Sequence, residues 1–264
     1  MNNQKTNGIQ HAYIMKSGKL LAAMAAVVLA AGCGAKTIVP GNGNYAVETF
    51  KTKHGEVAIN LIKHGTIAIS FKDVTIHCDP VAGMGKPTDY ANDFGKAPFI
   101  FITHEHGDHF NPETIATLYD ENTVLVLNEK SQKQLGYGDI MHNGDVRQLT
   151  KDIKVEAVPA YNTTPGRENL HPFGNGNGYV FTIDGLRIYV AGDTEDVPEM
   201  ANLKDIDIAF LPCNQPYTMT VDQIVSAVGM FHPKVVFPYH FSQTDVSVLP
   251  GMLPDTDVRL HEMQ

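Results

Sequence analysis

The chain has 264 residues, of which 43% are hydrophobic and 19% are charged, and its net charge is −9. This composition is that of a globular protein and excludes a disordered chain. Residues 1–32 contain three lysines and no acidic residue, so the net charge without them is −12. An acidic chain is a poor partner for phosphate backbones, which argues against a nucleic-acid partner and a nuclease function.

The first thirty-odd residues have the pattern of an export signal. Lys16 and Lys19 precede an uncharged run of twelve residues, LLAAMAAVVLAA. This run is too short to span a bilayer as a helix and matches the apolar region of a secretion signal. Met15 is an alternative start, since MKSGKLL begins a tidier signal than the polar residues before it. A short buried helix is the competing interpretation.

Cys33 follows Ala-Ala-Gly, which resembles the lipobox of bacterial lipoproteins. Leu29 lies one place further upstream than the usual leucine, so a plain secretory signal is the alternative. We expect residues 1–32 to be a signal peptide and residues 33–44 to be a lipidated N-terminus and linker. The protein would then be exported and membrane-anchored through Cys33, on the periplasmic or cell-surface side.

Residues 45–264 form the predicted domain, and its first half begins with a strand meander. VETF, EVAINLIKH, TIAISFK and VTIHCDP alternate or run apolar, and the last ends on Asp79 and Pro80. FIFIT is a continuous apolar strand. Asn111-Pro112-Glu113 then predicts a helix start before TIATLYD, and the strand TVLVLN and the helix EKSQKQL follow.

The second half has a similar order. IKVEAVPAY is a strand, and GYVFTIDGLRIYVAGDT is a hairpin that turns at Asp184 and Gly185. The strand IDIAFLPC, the helix VDQIVSAVGMF and the strand VVFPYH complete it. This order predicts an α/β domain with two sheets face to face and helices outside. Cys78 and Cys213 lie in apolar strand-like runs, which predicts buried thiols rather than a disulfide.

The segment THEHGDHF, directly after FIFIT, contains three histidines and two acidic residues. Such a cluster is costly unless something binds it. His104 and His106 are two residues apart, so on an extended segment both imidazoles lie on one side and can bind one ion. The following glycine lets the backbone turn, so that Asp108 and His109 can face a second ion.

Three further polar residues occur where predicted strands end: Asp79, Asp193 in AGDT, and His240 in FPYH. Taken singly, the first is compatible with a turn, the second with a helix cap and the third with a core histidine. In α/β folds, however, functional groups gather at the carboxyl ends of strands. Their joint occurrence with THEHGDHF therefore indicates metal binding.

The motif THEHGDH resembles the signature of the metallo-β-lactamase superfamily, and the resemblance extends from about Ala46 to the C-terminus. It implies a four-layer αββα sandwich with two mixed sheets. It also implies that Asp79 braces the metal-binding segment, that Asp193 bridges two metals, and that His240 is a ligand of the second metal.

One position departs from the family pattern. The strand VEAVPAY ends on Asn162, where relatives resembling ascorbate-6-phosphate lactonase and N-acyl-phosphatidylethanolamine phospholipase D have a histidine that completes the first metal's ligands. His171, in the following Gly/Asn-rich loop, is the substitute if that loop folds back; the alternative is a surface histidine beside Pro172. The pattern PAYN…HP…GYV…GDT…YTM…H resembles a subgroup of bacterial and archaeal hydrolases.

Other residues indicate which branches of the family the chain does not resemble. Asp193 stands where a true β-lactamase has cysteine, and His109 follows Asp108, so the chain does not resemble a true β-lactamase. His106 stands where flavodiiron relatives have glutamate, which argues against an oxygen-reducing di-iron site. Imidazole and carboxylate ligands suit two zinc ions, with manganese and iron as alternatives.

The resemblance leads us to expect a hydrolase that uses a metal-bound hydroxide at a binuclear site. Its substrate would be a small molecule or lipid-like, with an ester, lactone or phosphodiester bond. Asp108 is the candidate for proton handling, and Arg167 and Tyr217 are candidates for orienting an anionic substrate; for Arg167 the alternative is a solvated loop charge. Asn162 motivates a second hypothesis, a non-catalytic metal-binding lipoprotein that retains the fold.

Overall fold

The computed structural model describes residues 45–263, which form two seven-stranded β-sheets, five α-helices and one 3₁₀ helix, Pro198–Asn202. The strands of the first sheet are β1 (Ala46–Lys51), β2 (Glu56–Lys63), β3 (Thr66–Phe71), β4 (Val74–Cys78), β5 (Phe99–Phe101), β6 (Val124–Leu127) and β7 (Asp139–Ile140). Those of the second are β8 (Val146–Thr150), β9 (Ile153–Ala160), β10 (Gly176–Ile183), β11 (Leu186–Val190), β12 (Ile208–Pro212), β13 (Val235–Tyr239) and β14 (Asp257–Val258). The helices are α1 (Tyr90–Asp93), α2 (Pro112–Leu118), α3 (Glu129–Leu135), α4 (Val221–Phe231) and α5 (Leu249–Met252).

Both sheets are mixed, and the strand order in each follows the chain. In the first, β1–β4 are an antiparallel meander and β4–β7 are parallel. In the second, β8–β11 are antiparallel and β11–β14 are parallel. The turn between β10 and β11 lies at Asp184 and Gly185, as predicted, and both residues have positive φ. Such a turn matches the right-handed twist of the strands that it joins.

The two sheets pack face to face through a shared apolar core. Phe101 of β5, Phe181 of β10 and Phe210 of β12 are buried in one cluster, and the ring centroids of Phe101 and Phe181 are 5.0 Å apart. Helices cover the outer faces: Ile115 of α2 packs with the first sheet and Phe231 of α4 with the second. The predicted four-layer αββα sandwich is confirmed.

The helix starts follow their caps. The side chain of Asn111 accepts a hydrogen bond from the Thr114 amide at the start of α2, as predicted. At α4, Thr220 and Gln223 form a reciprocal capping box. The short elements α1, α5, β7 and β14 were missed, because two to four residues are too few to show a periodic pattern. The five-residue strand β8 and the 3₁₀ helix were missed as well. Cys78 and Cys213 are buried free thiols, as predicted.

The signal peptide, the lipidation site Cys33 and the linker of the sequence analysis lie outside the described residues. Within residues 45–263, no helix combines the length and the apolar character that crossing a bilayer requires.

The strand directions bring the polar motifs to one edge of the sandwich. Asp79 follows β4 and His104 follows β5, which are parallel neighbours. Asp193 follows β11 and His240 follows β13, in the parallel part of the second sheet. Because the carboxyl ends of parallel strands meet at the same edge, these side chains converge.

Candidate metal centre

The first group of donor atoms comes from His104, His106, His171 and Asp193. His106 Nδ1 lies 3.0 Å from His104 Nε2 and 3.2 Å from His171 Nε2. Asp193 Oδ2 lies 3.2 Å from His171 Nε2 and 3.8 Å from His104 Nε2. Donors bound tetrahedrally at about 2.0–2.1 Å from zinc lie about 3.3 Å from one another. The four atoms therefore have the spacing of ligands around one ion.

The second group comes from Asp108, His109, His240 and the other oxygen of Asp193. Asp193 Oδ1 lies 3.2 Å from His109 Nε2 and 3.4 Å from His240 Nε2. Asp108 Oδ2 lies 3.2 Å from His240 Nε2 and 3.8 Å from His109 Nε2. The carboxylate of Asp193 thus presents one oxygen to each group. The structure brings together all seven residues that the sequence analysis selected as metal ligands.

His64 is a residue of this site that the sequence analysis missed. It lies in the turn between β2 and β3, with φ 44°, and its Nε2 atom is 3.2 Å from Asp108 Oδ2. Its ring centroid is 3.8 Å from that of His240. His64, Asp108 and His240 form a further possible ligand set. The next residue, Gly65, approaches the ring of His109 so closely that an added Cβ would lie 2.6 Å from a ring atom.

The sequence carries only a weak signal for His64. A histidine before glycine in a hairpin turn reads as turn chemistry, and nothing in the local pattern shows that this turn reaches the carboxyl edge.

Asp79 braces both donor groups from behind and is fully buried. Its Oδ2 atom accepts hydrogen bonds from His109 Nδ1 at 2.7 Å and from the Thr103 hydroxyl at 2.6 Å. Because the Thr103 hydroxyl donates to Asp79, it is free to accept from His104 Nδ1, which is 3.0 Å away. Both histidines are therefore oriented with Nε2 towards the donor groups, as supported metal-binding histidines are.

The charges in the centre shift one another's pKa values. Burial opposes ionisation of Asp193, but His240 and His109 outweigh it and hold the pKa of Asp193 well below its usual range. Burial likewise opposes the charged form of His109, yet Asp193 and Asp79 raise the pKa of His109 well above its ordinary value. Burial lowers the pKa of His104 well below its ordinary value. The charged forms of the carboxylates and of His109 therefore stabilise each other, and the buried carboxylates depend on positive charge beside them.

His109 Nε2 and Asp193 Oδ1 are among the buried side-chain atoms that have no hydrogen-bond partner within residues 45–263. An unpartnered buried polar atom is costly, and each such atom in a native structure calls for an explanation. An imidazole nitrogen and a carboxylate oxygen are donors that zinc accepts. The residues present therefore fit a divalent ion at this position.

His171 is placed by the loop that follows β9. Its Nδ1 atom lies 3.1 Å from the carbonyl oxygen of Tyr217, so that Nδ1–H can donate there and Nε2 can face the donor atoms. Asn162 belongs to neither donor group. Its amide nitrogen Nδ2 donates to the same Tyr217 carbonyl at 2.8 Å, and its backbone N–H donates to the His171 carbonyl at 2.9 Å. Asn162 therefore braces His171.

Comparison with known proteins tests the resemblance drawn from the sequence. The family model described as "Beta-lactamase superfamily domain" matches residues 58–240, well over half of the chain. The chain belongs to the metallo-β-lactamase superfamily. The resemblance is thereby confirmed, and the exclusion of a true β-lactamase is consistent with it.

Members of this superfamily similar to the chain carry hydrolase names. A UPF0173 metal-dependent hydrolase of Thermococcus onnurineus is 32% identical over 162 residues, covering 56% of this chain and 68% of that protein. A second, from a Geobacillus species, is 28% identical over 208 residues, covering 73% and 91%. The crystal structure of a candidate metal-dependent hydrolase from Parabacteroides distasonis has 50% identity and a TM-score of 0.80, covering 83% and 100%. With the donor groups, these similarities support a metallo-hydrolase.

Glu105 links the metal-binding segment of this superfamily member to the loop that carries His171. Its carboxylate accepts hydrogen bonds from Asn175 Nδ2 at 2.9 and 3.1 Å and from Asn128 Nδ2 at 2.9 Å. Lys130 Nζ is 3.1 Å away. Burial would raise the pKa of Glu105, but the bonds from Asn175 and Asn128 outweigh it and lower the pKa to about 2. The segment His104–His106 is therefore fixed to its neighbours through Glu105.

The two predicted substrate-orienting residues differ in position. A cleft of about 470 Å³ opens above the donor groups, and Tyr217 lines it with its side chain 48% exposed. Arg167 is not among the lining residues. Its guanidinium donates to the side chain of Gln215 and lies 3.9 Å from Glu195 Oε1. This arrangement suits a role in fixing the loop rather than in contacting substrate.

Proposed function

We propose that this protein is a binuclear hydrolase that cleaves an ester, lactone or phosphodiester bond. The observation that carries the proposal is Asp193, whose two oxygens face two different sets of donors. When bound, two divalent ions supply a Lewis-acid pair that makes water acidic near neutral pH and stabilises charge on the substrate oxygen. The imidazole and carboxylate donors favour zinc, with manganese and iron as alternatives.

Asp108 is the chain's own candidate for moving the proton. Its side chain is partly exposed to the cleft. Burial would raise its pKa, but hydrogen bonds with His240 and His64 outweigh it and hold the pKa well below the usual range. A carboxylate with so low a pKa favours ligation over proton storage. Because a general base works best with a pKa near the operating pH, this environment supports Asp108 as a ligand more than as the group that handles the proton.

The placement of His171 supports the hydrolase over the non-catalytic alternative. That alternative was motivated by Asn162, which left the first group one histidine short. His171 Nε2 stands 3.2 Å from both His106 Nδ1 and Asp193 Oδ2, so the first group has a third imidazole. No observation on the described residues then favours a scaffold without turnover.

Metal content and activity of the purified protein test the proposal. We expect elemental mass spectrometry to find two metal ions per chain, and one fewer in His171→Ala. We also expect the protein to hydrolyse at least one of a generic ester, a lactone and a phosphodiester. His142→Ala is the matched control, because His142 is an exposed histidine outside the donor groups. A single ion or none, together with no hydrolysis on the panel, would favour the non-catalytic lipoprotein.

We also propose that the protein is a membrane-anchored lipoprotein modified at Cys33. The support is the sequence of residues 1–33 alone. Cells that express the full chain should incorporate a labelled fatty acid into it, and Cys33→Ser should abolish the label and move the protein to the soluble fraction. Labelling that persists in Cys33→Ser contradicts this assignment.

A further inference from the structure

The cleft above the donor groups has walls without positive charge. Beyond the metal-centre residues, its lining consists of Met84, Asn169, Leu170, Asn214, Tyr217 and Ser242. Within residues 45–263, no lysine or arginine lines it. A site that recognises a remote carboxylate or phosphate normally supplies a cationic side chain or a cluster of donors for it.

Three cationic residues, Arg167, Lys63 and Lys86, lie on or beside the loops that form the cleft, and none of them is among its lining residues. Lys86, two residues after Met84, is exposed. Arg167 is held by Gln215 and Glu195, as described above. Lys63, next to His64, is 3% exposed. Its ammonium donates to the carbonyls of Ala82, Gly83 and Met84 at 3.1–3.3 Å, and to that of Lys86. Its charge therefore stabilises the loop that carries Met84 and is not available to a ligand.

Large apolar side chains occupy the same walls. Met84 is 45% exposed and Tyr217 is 48% exposed. Leu170, which directly precedes His171 in the sequence, is half-buried and also lines the cleft. Single exposed apolar residues are ordinary, but several around one cleft with a polar floor form a binding surface for an apolar group. The amides of Asn169 and Asn214 and the hydroxyl of Ser242 are the neutral polar groups of the lining.

We infer that the substrate is a neutral carboxylic ester or lactone with an aliphatic acyl chain. This rests on the proposed hydrolase function and narrows it. The reacting carbonyl would lie at the donor groups, and the chain would lie against Met84, Leu170 and Tyr217. A charged group at the far end of that chain would lose hydration without gaining a counter-charge. A phosphodiester would place its anion at the donor groups, where bound ions would neutralise it, but the walls offer no positive partner to any further anionic group of such a substrate.

A matched pair of esters tests the inference on the zinc-loaded protein: p-nitrophenyl hexanoate and the mono-p-nitrophenyl ester of adipic acid. They share a six-carbon acyl chain and differ in the terminal carboxylate. We expect kcat/KM to be at least about tenfold higher for the neutral ester, because an unpaired charge is poorly accommodated in such a site. Bis(p-nitrophenyl) phosphate and an aliphatic lactone complete the panel.

The outcomes separate the inference from the function on which it rests. Equal or faster cleavage of the anionic ester overturns the inference and leaves the hydrolase intact. Cleavage of the phosphodiester alone does the same. If no compound is cleaved by protein that holds two zinc ions, the proposed function itself fails, and the inference fails with it.

Charge variants of the wall provide a second test. Tyr217→Lys and Leu170→Lys should each raise kcat/KM for the anionic ester relative to the neutral one by about tenfold, since a cation then faces its carboxylate. Val146→Lys makes a comparable change at an exposed residue of β8 outside the cleft, and it should leave the ratio unchanged. Zinc content is measured in each variant. If both wall variants retain two ions and the ratio of kcat/KM for the two esters is unchanged in each, the acyl chain does not lie against these walls.

Discussion

His64 Nε2 lies 3.2 Å from Asp108 Oδ2, so a hairpin turn of the first sheet reaches the second group of donor atoms. The contact is fixed from the backbone as well, because the carbonyl of His64 accepts the amide N–H of His240 at 3.0 Å. The turn, the metal-binding segment and the end of β13 therefore form one unit.

Replacing His64 by alanine should weaken the binding of one of the two ions. The imidazole either orients Asp108 or adds a donor beside it, and removing such a partner typically costs about 10- to 100-fold in metal affinity. Competition with a chromogenic chelator measures both affinities. The control is His142→Ala, which should match the unaltered protein. Two unchanged affinities in His64→Ala would show that the contact with Asp108 does not support metal binding.

Asp79 supports both groups, so its replacement should affect both ions. Asp79→Asn puts an amide NH₂ group, or an oxygen that accepts more weakly, opposite the hydrogen-bond donors His109 Nδ1–H and the Thr103 hydroxyl at a fully buried position. We expect both metal affinities to fall. We also expect the metal-free protein to lose about 3 kcal/mol of unfolding free energy, as buried charge-assisted hydrogen bonds do when one partner is removed. Urea unfolding in the presence of a chelator measures the second effect.

Thr103→Val is the matched variant for Asp79. It removes the hydroxyl between Asp79 and His104 and leaves the bond from His109 to Asp79 in place. Only the ion of the first donor group should be bound more weakly. If Thr103→Val weakens the binding of both ions equally, the Thr103 hydroxyl does not support the first donor group separately from the second.

Much of the fold was predictable because its signals are local. Continuous apolar runs mark the central strands, and caps such as Asn111 mark helix starts. The ligands at strand ends were predictable for a related reason: parallel strands bring their carboxyl ends to one edge, so residues distant in sequence meet without any loop having to be known.

The contacts that were not predictable depend on loops and turns. His64 reaches Asp108 only because of how the β2–β3 turn sits against β13, which no local pattern encodes. Arg167 was expected to face an anionic substrate, but the position of Gln215 and Glu195 determines its direction. The loop that carries His171 is fixed by side chains such as Glu195, which accepts the backbone N–H groups of Thr163 and Thr164.

The turns of the two sheets are also linked away from the metal centre, by His54 and Asp184. The carboxylate of Asp184 lies 2.6 Å from His54 Nδ1 and accepts the His54 backbone N–H at 2.5 Å. Burial would raise the pKa of Asp184, but these two bonds outweigh it and lower the pKa to about 2. The folded protein therefore binds a proton at Asp184 less readily than the unfolded chain.

This depressed pKa sets the sign of a pH effect. Asp184 stabilises the fold above its unfolded pKa of about 3.9, and the contribution is lost as the pH falls through its folded value of about 2. Asp184→Asn should thus be less stable than the unaltered protein at pH 6, and the difference should shrink steadily below pH 4. Urea unfolding of the metal-free proteins from pH 6 to pH 3 measures it. A difference that stays constant or grows on acidification would contradict the linkage.

Asn162 and His171 both hydrogen-bond the carbonyl of Tyr217, at 2.8 and 3.1 Å, so their side chains approach the same point from different segments. His171→Ala leaves space there. In that background, Asn162→His should place an imidazole at the strand end and restore the ion that His171→Ala loses, because an imidazole is longer than the amide it replaces. Asn162→Gln in the same background is the control for side-chain length. Its side chain is also longer than that of asparagine, but an amide is a poor zinc ligand. The number of metal ions bound per chain tests this prediction. If the double variant still holds one ion, a side chain at position 162 cannot reach the first donor group. Within residues 45–263, the third imidazole of that group would then have to come from the loop that carries His171.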